Sequence, residues 1–304
     1  RFFEAGAIMK LLIPIDFSPS TNAVIDHVTS RPWPEGTQAL VFHVVDVFGI
    51  GAGLVHIAPF LEKESEDANK LAAEAAHRIS ACGIKVNTQV VTGHPAGSIP
   101  ACAKEWGADL VLVGSHGQSG LVRFLLGSVA KAVVRNAPCS VEIVRPGPVP
   151  SVRGKGIKVL LAADGSEYSQ AAAESIARRP WPKGSEFRVI AVAQTLPLAS
   201  EPWAWYAQPQ TLEELRETIM TAAKDALNRA LAVLNEAGLN ATGSVVAGDP
   251  KSCILDEAEQ WAANLIVLGS HGRRGLDRLL LGSVAEAVAM HAKCSVQVVR
   301  KRAV

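Results

Sequence analysis

A glycine-rich segment of fifteen residues occurs twice in this chain, from Gly114 to Ser128 and from Gly269 to Ser283, with 11 of the 15 positions identical. Each copy follows a short apolar run typical of a buried strand (Asp109–Val113 in the first) and leads into residues with helical spacing. A strand, a glycine loop and a helix in this order are typical of phosphate sites, because glycine lets backbone N–H groups approach an anion and the helix start adds unpaired donors. The repetition predicts an internal duplication of one α/β unit that carries such a site.

Shorter segments repeat in the same order as the glycine loops. Arg31–Pro34 (Arg-Pro-Trp-Pro) returns as Arg179–Pro182 at an offset of 148, and we interpret it as the segment that ends the first helix of each copy. Val90–Gly93 corresponds to Val245–Gly248 at an offset of 155, because the second copy carries seven additional residues after its second strand. The repeated unit is therefore about 145 residues long, an ordinary domain length.

These repeats set the expected domain boundaries. Residues 1–8 have no counterpart in the second half, and Met9 stands where an initiator would, so we interpret 1–8 as upstream residues. The first domain is expected at 9–146 and the second at 157–304. Between them, residues 147–156 are expected to form a linker, which is rich in Pro and Gly.

Strands and helices alternate through each half, which predicts α/β domains with a doubly wound parallel, Rossmann-like sheet. In such sheets a ligand lies at the carboxyl ends of the strands. Asp16, Val44 and the first glycine loop follow strand ends in one copy, and Asp164, Val192 and the second loop do so in the other. One crevice is therefore expected in each domain.

The last strand of each copy is an apolar run, Ser140–Arg145 and Ser295–Arg300. An unpaired apolar edge favours aggregation, so proteins cover or pair it. We expect the two strands to pair within the chain, giving an intramolecular pseudo-dimer. Further association of whole chains into a homodimer remains an open alternative.

Composition limits the possible partners. The net charge is +1 and no basic stripe follows a predicted helix, so nucleic acid is not indicated as a partner. The five cysteines form no Cys-x-x-Cys pair, and we interpret them as core residues in a reducing compartment. The apolar stretch Val47–Leu61 is short for a span and contains Pro59, so no membrane anchor is expected. A cytoplasmic location follows.

Several residues near the loops admit two interpretations. Asp16 and Asp164 are candidate ligand contacts or plain helix-start residues, and Ser128 and Ser283 are candidate phosphate contacts or N-caps. His116 and His271 are candidates for a catalytic base or for residues that shape the loop; no Gly-x-Ser-x-Gly pattern surrounds Ser115. Arg123 and Arg278 either reach phosphates or belong to a solvated helix face. The connections Val47–Phe60 and Pro202–Tyr206 are either packed loops or a lid.

The spacing of the glycines in the two loops resembles that of a known family. Gly114-x-x-Gly117, nine residues and then Gly127-Ser128, resembles the spacing of the ATP-binding class of universal stress proteins, and Gly269-x-x-Gly272 with Gly282-Ser283 matches it again. The opening Ile13–Ser18, the strand end His43–Asp46 and the closing Val141–Arg145 also look like that family. The resemblance covers nearly all of 9–301, so the chain looks like a tandem universal stress protein.

The resemblance implies ATP as the ligand, with Mg²⁺ as a possible companion ion and no metal site of the protein itself. It implies that adenine and ribose meet Ile15, Asp16, Val44, Val113 and Gly114, and that the phosphates meet Gly117, Gly127, Ser128 and Val129. The implied counterparts in the second copy are Ala163, Asp164, Val192, Leu268, Gly269, Gly272, Gly282, Ser283 and Val284.

Three functions remain open from the sequence: a nucleotide-dependent stress-response regulator, a slow ATPase or other adenine-nucleotide hydrolase, and a dimerisation module stabilised by nucleotide. A phosphoryl-transfer site usually has a Lys that reaches the β- and γ-phosphates. The two glycine loops contain no Lys, and the chain has no Gly-x-x-x-x-Gly-Lys-Ser/Thr motif. The sequence therefore favours binding over catalysis, with no residue assigned a catalytic role.

Overall fold

The structure is a computed structural model that describes residues 8–46, 58–117, 126–146, 156–194, 209–272 and 281–301. In these ranges, strands and helices alternate along both halves, as the sequence predicts. In the first half the elements are β1 (Lys10–Ile15), α1 (Pro19–Thr29), β2 (Gln38–Asp46), α2 (Ala58–Ser80), β3 (Lys85–Gly93), α3 (Pro95–Trp106), β4 (Leu110–Gly114), α4 (Ser128–Asn136) and β5 (Ser140–Val144).

The second half repeats this order element by element. Its elements are β6 (Lys158–Ala163), α5 (Glu167–Ala177), β7 (Glu186–Gln194), α6 (Pro209–Glu236), β8 (Ala241–Gly248), α7 (Pro250–Gln260), β9 (Leu265–Gly269), α8 (Ser283–His291) and β10 (Ser295–Val299).

All ten strands belong to one sheet, in the order β3-β2-β1-β4-β5-β10-β9-β6-β7-β8. Within each half, neighbouring strands are parallel. The two halves meet where β10 pairs with β5 in antiparallel register, with Val296 opposite Ile143 and Val298 opposite Val141. The predicted pairing of the two last strands within one chain is therefore confirmed. We call this antiparallel pair, with the side chains packed on it, the seam.

Reciprocal contacts tie the two halves together beside the seam. Arg145 donates through Nη2 to the carbonyl oxygens of Ala289 and Met290, which end α8, at 3.0 and 3.1 Å. Arg300, the equivalent residue, donates in the same way to the carbonyls of Val134 and Arg135 near the end of α4, at 2.8 Å each. Each arginine places a positive charge at the carbonyl end of a helix in the other half, where the helix dipole favours it.

Both faces of the sheet are buried. On one face, α1 and α2 pack on the first half and α5 and α6 on the second, in two separate hydrophobic clusters. On the other face, α3, α4, α7 and α8 share a single cluster that crosses the seam and includes Val133, Ile143, Val288 and Val296. Strand residues alternate between faces, so that Leu11 and Leu12 belong to different clusters.

One local prediction needs correction. Cys82 is exposed rather than part of the core, whereas Cys102 and Cys139 are buried as expected. Burial raises the pKa of the Cys102 thiol to about 11, with the Glu105 charge acting in the same direction, so this thiol stays protonated.

Some sequence-based interpretations fall outside the described residues. They concern Arg123 and Arg278, most of the connection Val47–Phe60, the aromatic segment Pro202–Tyr206 and the residues 147–155 of the expected linker.

Candidate functional site

The carboxyl ends of β1, β2 and β4 lie side by side, because β1 pairs in parallel with both neighbours. Asp16 follows β1, and Gly114 ends β4. The second half places Asp164 after β6 and Gly269 at the end of β9 in the same arrangement. The structure thus brings each aspartate to the edge of the sheet from which a glycine loop begins.

Each aspartate is held in position by the residues that follow it. Asp16 Oδ1 accepts from the backbone N–H of Ser18 at 3.1 Å, from Ser18 Oγ and, at 3.1 Å, from Thr21 Oγ1. Asp164 Oδ1 accepts from the N–H of Ser166 at 3.0 Å and from Ser166 Oγ at 2.6 Å. These bonds orient the carboxylate and stabilise its charge. Neither set of supporting hydroxyl groups was assigned a role from the sequence, although Ser18 and Ser166 occupy equivalent positions.

The second oxygen of each carboxylate faces the glycine loop. A Cβ added at Gly117 would lie 3.1 Å from Asp16 Oδ2, and one added at Gly272 would lie 2.8 Å from Asp164 Oδ2. A side chain at either position would therefore crowd the carboxylate. Glycine is required here by close approach rather than by a left-handed backbone.

The end of each loop folds back onto its beginning. Gly127 donates its N–H to the carbonyl of Ser115 at 2.8 Å, and Gly282 donates to the carbonyl of Ser270 at the same distance. Gly127 and Gly282 are the N-caps of α4 and α8, so the interpretation of Ser128 and Ser283 as N-caps is wrong. The two serines are the first residues of their helices. A glycine cap has no side chain to accept from the first turn, so the cap residue itself leaves the first N–H groups of each helix available to a ligand.

Apolar residues at the strand ends pack into the core beside each aspartate and loop. Ile15 and Val113 are buried at the ends of β1 and β4, and their counterparts Ala163 and Leu268 are buried at the ends of β6 and β9. Four partly buried valines pack against the shared hydrophobic cluster from positions at the ends of β2 and β7 and at the starts of α4 and α8: Val44, Val129, Val192 and Val284. All described site residues named from the sequence therefore lie at the same edge of the sheet in their own half.

The loop histidines are held by their neighbours. His116 Nδ1 lies 3.0 Å from Ser115 Oγ, and His271 Nδ1 lies 3.0 Å from Ser270 Oγ. His271 is buried and its ring centroid lies 4.9 Å from that of Tyr168 on α5. A ring fixed between a buried serine and a tyrosine supports the loop-shaping interpretation.

One candidate residue was missed in the sequence. His43, on β2 beside Val44, is buried, and its Nδ1 has no hydrogen-bond partner among the described residues. Burial lowers the pKa of His43, which favours the neutral imidazole. Its ring packs edge-on against Phe17 at 5.3 Å. The second half has Ala191 and Gly165 at the positions of His43 and Phe17, so the two sites differ in the residues on the second strand and after the first strand of each half.

The described ranges contain no group of three or more His, Cys, Asp and Glu side chains placed to hold a metal ion. In the same ranges, none of the helices combines the length and the apolar character that crossing a membrane requires.

The geometry defines a protein made of two α/β halves, each with the ends of a glycine loop and the start of a helix at the carboxyl edge of a parallel sheet. The model of the universal stress protein family matches residues 7–145 and again 157–300. The chain therefore belongs to the universal stress protein family, with one copy of the family domain in each half.

Individual relatives agree with this assignment. A universal stress protein of Mycolicibacterium smegmatis is 28% identical over 309 residues, covering 96% of this chain and 97% of that protein. A universal stress protein of Methanocaldococcus jannaschii is 33% identical over 141 residues, covering 45% of this chain and 81% of that protein. A solved universal stress protein structure from Archaeoglobus fulgidus shares the fold, with a TM-score of 0.65 and 23% identity over 97% of this chain and 98% of that one.

Proposed function

We propose that each half of this protein binds one molecule of ATP in the crevice between its aspartate and its glycine loop. The observation that carries the proposal is the pairing of two opposite chemistries in one crevice. A carboxylate oxygen at Asp16 faces a loop whose far end, at Gly127, presents the first N–H groups of α4. The second half repeats the arrangement at Asp164 and Gly282.

A nucleotide matches this polarity. Its ribose hydroxyl groups are donors that suit a carboxylate, whereas its phosphates are anions that suit the positive end of a helix. Asp16 and Asp164 are therefore assigned to the nucleoside, together with the apolar residues at the strand ends, which are Ile15, Val113 and their counterparts. Gly117, Gly127, Ser128 and Val129 are assigned to the phosphates, as are the equivalent residues of the second loop. Mg²⁺, if it accompanies ATP, would be held through the phosphates.

We further propose that the nucleotide is a regulatory ligand and not a substrate. In the described part of each loop the groups near the helix start are glycines, a serine hydroxyl, backbone N–H groups and one histidine, His116 or His271, whose Nδ1 lies 3.0 Å from the hydroxyl of the preceding serine. The N–H groups and the hydroxyl bind an anion but do not take a proton from water, and we assign each histidine to shaping the loop rather than to proton transfer. The role that follows is a stress-response protein in which nucleotide occupancy sets the state of the chain.

Equilibrium dialysis with radiolabelled ATP tests both parts of the proposal. Saturation at two nucleotides per chain supports it, and the absence of saturable binding overturns it. Phosphate release is measured in the same samples. A steady release above about one phosphate per minute, slow for an enzyme but sustained, would favour the hydrolase instead.

Asp16→Asn and Asp164→Asn provide the matched pair of variants. Each should remove one site while leaving the other, because an amide presents only one acceptor oxygen to the ribose and loses its charge. Two variants that both retain two sites of unchanged affinity would show that the aspartates do not contact the ligand.

A further inference from the structure

The seam contains a buried polar cluster to which the two halves contribute different residues. Glu142 on β5 lies directly opposite Gln297 on β10, and both side chains are buried, with the residues 0% and 2% exposed. The two positions are equivalent in the duplication, at the offset of 155. One half therefore contributes a carboxylate where the other contributes an amide of the same shape.

The repeated Arg-Pro-Trp-Pro segments supply an arginine from each half to this cluster. Arg31 donates through Nη2 to Glu142 Oε2 at 2.8 Å. Arg179 donates through Nη2 to Gln297 Oε1 at 2.5 Å, and its Nη1 lies 3.9 Å from Glu142 Oε2. The side chains of both arginines are less than a tenth exposed. A single carboxylate thus lies within ion-pair distance of two buried guanidinium groups.

A third pair of equivalent residues completes the cluster. His27 Nε2 lies 2.5 Å from Glu142 Oε1, whereas Ser175 Oγ accepts from Gln297 Nε2 at 3.2 Å. The first edge (His27, Arg31 and Glu142) therefore carries an arginine with a carboxylate. The second edge (Ser175, Arg179 and Gln297) carries an arginine without one.

We propose that Glu142 determines which edges of this protein can pair, and that the second edge accepts as its partner only an edge that brings a carboxylate to the seam. Pairing of the first edge with the second places one carboxylate between two arginines. Pairing of two second edges would bury two arginines with no carboxylate, and an uncompensated buried charge is strongly destabilising. Pairing of two first edges would give each arginine its own glutamate.

The first edge therefore pairs with the second edge, because two second edges cannot pair with each other. The partner that fits the second edge is the first edge, from the same chain or from another copy of it. Two identical edges would carry the same residue at the positions of Glu142 and Gln297; the carboxylate in one half and the amide in the other are the difference that makes the pairing directional.

Variants of the full chain can reproduce the like-with-like seam. His27→Ser with Glu142→Gln gives the first edge the polar residues of the second. The readout is amide hydrogen exchange in peptides that contain Val141–Val144 and Val296–Val299. Exchange there should be accelerated about 100-fold or more, as removal of one partner from a buried ion pair implies. Gln297→Glu, which supplies a second carboxylate, should leave seam exchange within about tenfold of the parent chain.

Two controls separate charge from packing. His27→Ser alone should change seam exchange less than tenfold, because the carboxylate and both arginines remain. Glu286→Gln removes the ion pair with Arg135, which also joins the two halves but is partly exposed. An exposed pair contributes at most about 1 kcal/mol, so exchange should rise by less than about fivefold.

If the variant His27→Ser with Glu142→Gln (the like-with-like variant) does not fold, the charge swap Glu142→Gln with Gln297→Glu tests the proposal instead. It moves the carboxylate to the other strand and leaves the total charge of the cluster unchanged, so a folded protein with seam exchange within about tenfold of the parent is expected. A swapped chain that is as open as the like-with-like variant overturns the proposal. So does a like-with-like variant that exchanges no faster than Glu286→Gln.

Discussion

Replacing Gly127 by Ala is expected to damage the nucleotide site while leaving the fold intact. The backbone of Gly127 has φ −60° and ψ 154°, a conformation that alanine adopts freely. An added Cβ would lie 3.4 Å from the Ser115 carbonyl oxygen and 3.5 Å from His116 Cα, which is ordinary van der Waals contact. Neither backbone strain nor crowding therefore opposes the substitution in the free protein.

The two effects on stability nearly cancel. Alanine is a poorer N-cap than glycine by about 0.5–1 kcal/mol. Against this, alanine restricts the unfolded chain more than glycine does, which stabilises the folded protein by about 0.4–1 kcal/mol. The free energy of unfolding should stay within about 1 kcal/mol of the parent protein.

Binding should respond much more strongly, because the methyl group stands beside the N–H groups assigned to the phosphates. Loss of one charge-assisted hydrogen bond costs about 1.5–3 kcal/mol. At 1.4 kcal/mol per factor of ten, the dissociation constant for ATP at the first site should rise about 10- to 150-fold. The second site should be unaffected.

Titration calorimetry with ATP measures the affinity and the number of sites, and chemical denaturation of the same samples measures the stability. Gly97→Ala is the matched control, since an added Cβ at Gly97 meets nothing within 4 Å and Gly97 belongs to α3 rather than to a glycine loop. An ATP affinity that is unchanged in Gly127→Ala at both sites would refute the assignment of this glycine to the phosphates.

Other expected outcomes follow from the same contacts. Gly282→Ala should lose the second site and also about 1–2 kcal/mol of stability by denaturation, because its Cβ would lie only 3.0 Å from the Ser270 carbonyl oxygen. Saturating ATP at 100 times its dissociation constant should raise stability by about 2.7 kcal/mol per occupied site, visible as a higher Tm, and no rise would contradict binding to the folded state. Stability should decrease on acidification in two stages. Burial and then the Arg31 charge lower the pKa of His27 below 6.5. As the pH falls below 6.5, the unfolded chain therefore binds the proton more readily than the folded chain, and the free energy of unfolding decreases. Burial alone would raise the pKa of Glu142, but Arg31, His27 and Arg179 outweigh it and hold that pKa well below 4.5, so a second loss follows as the pH falls below 4.5. Denaturation midpoints measured from pH 7 to pH 3 check both stages, and in Glu142→Gln the lower stage should shrink.

The sequence predicted the fold because the signals that define it are local and occur twice. Apolar runs followed by Asp16 and Asp164, and glycine loops after β4 and β9, suffice to place strand ends on one edge of a parallel sheet. The pairing of β5 with β10 was also predictable, since both closing runs are apolar and each would otherwise end a sheet. Such local signals do not define the bounds of each helix, and the start of α2 at Ala58 comes from the structure.

The residues that the sequence did not reveal act over long distances in the chain. Arg31-Pro-Trp-Pro34 looked like a helix end, yet its arginine reaches Glu142, 111 positions away. The repetition of the segment was a signal, but only the three-dimensional pairing of the halves shows what it serves. His43 was hidden for a different reason: a single histidine in an apolar strand carries no spacing pattern. Gly114 and Gly269 also have a packing reason that sequence spacing does not show, because an added Cβ would lie 2.7 Å from Ser20 Cβ in one half and from Tyr168 Cβ in the other.

The strand order leaves β3 and β8 as the two margins of the sheet in the described part of the chain. They have nine and eight residues, and their residues are exposed or only half-buried. β3 presents Lys85, Asn87, Thr88 and Gln89, whereas β8 contains glycine and small residues throughout. Polar and small side chains give an incoming strand little apolar surface to cover, which is how proteins prevent their sheets from growing. The apolar strands β5 and β10 pair with each other in the middle of the sheet, so that in the described part of the chain the apolar strands lie inside and the margins offer a further strand little to bury.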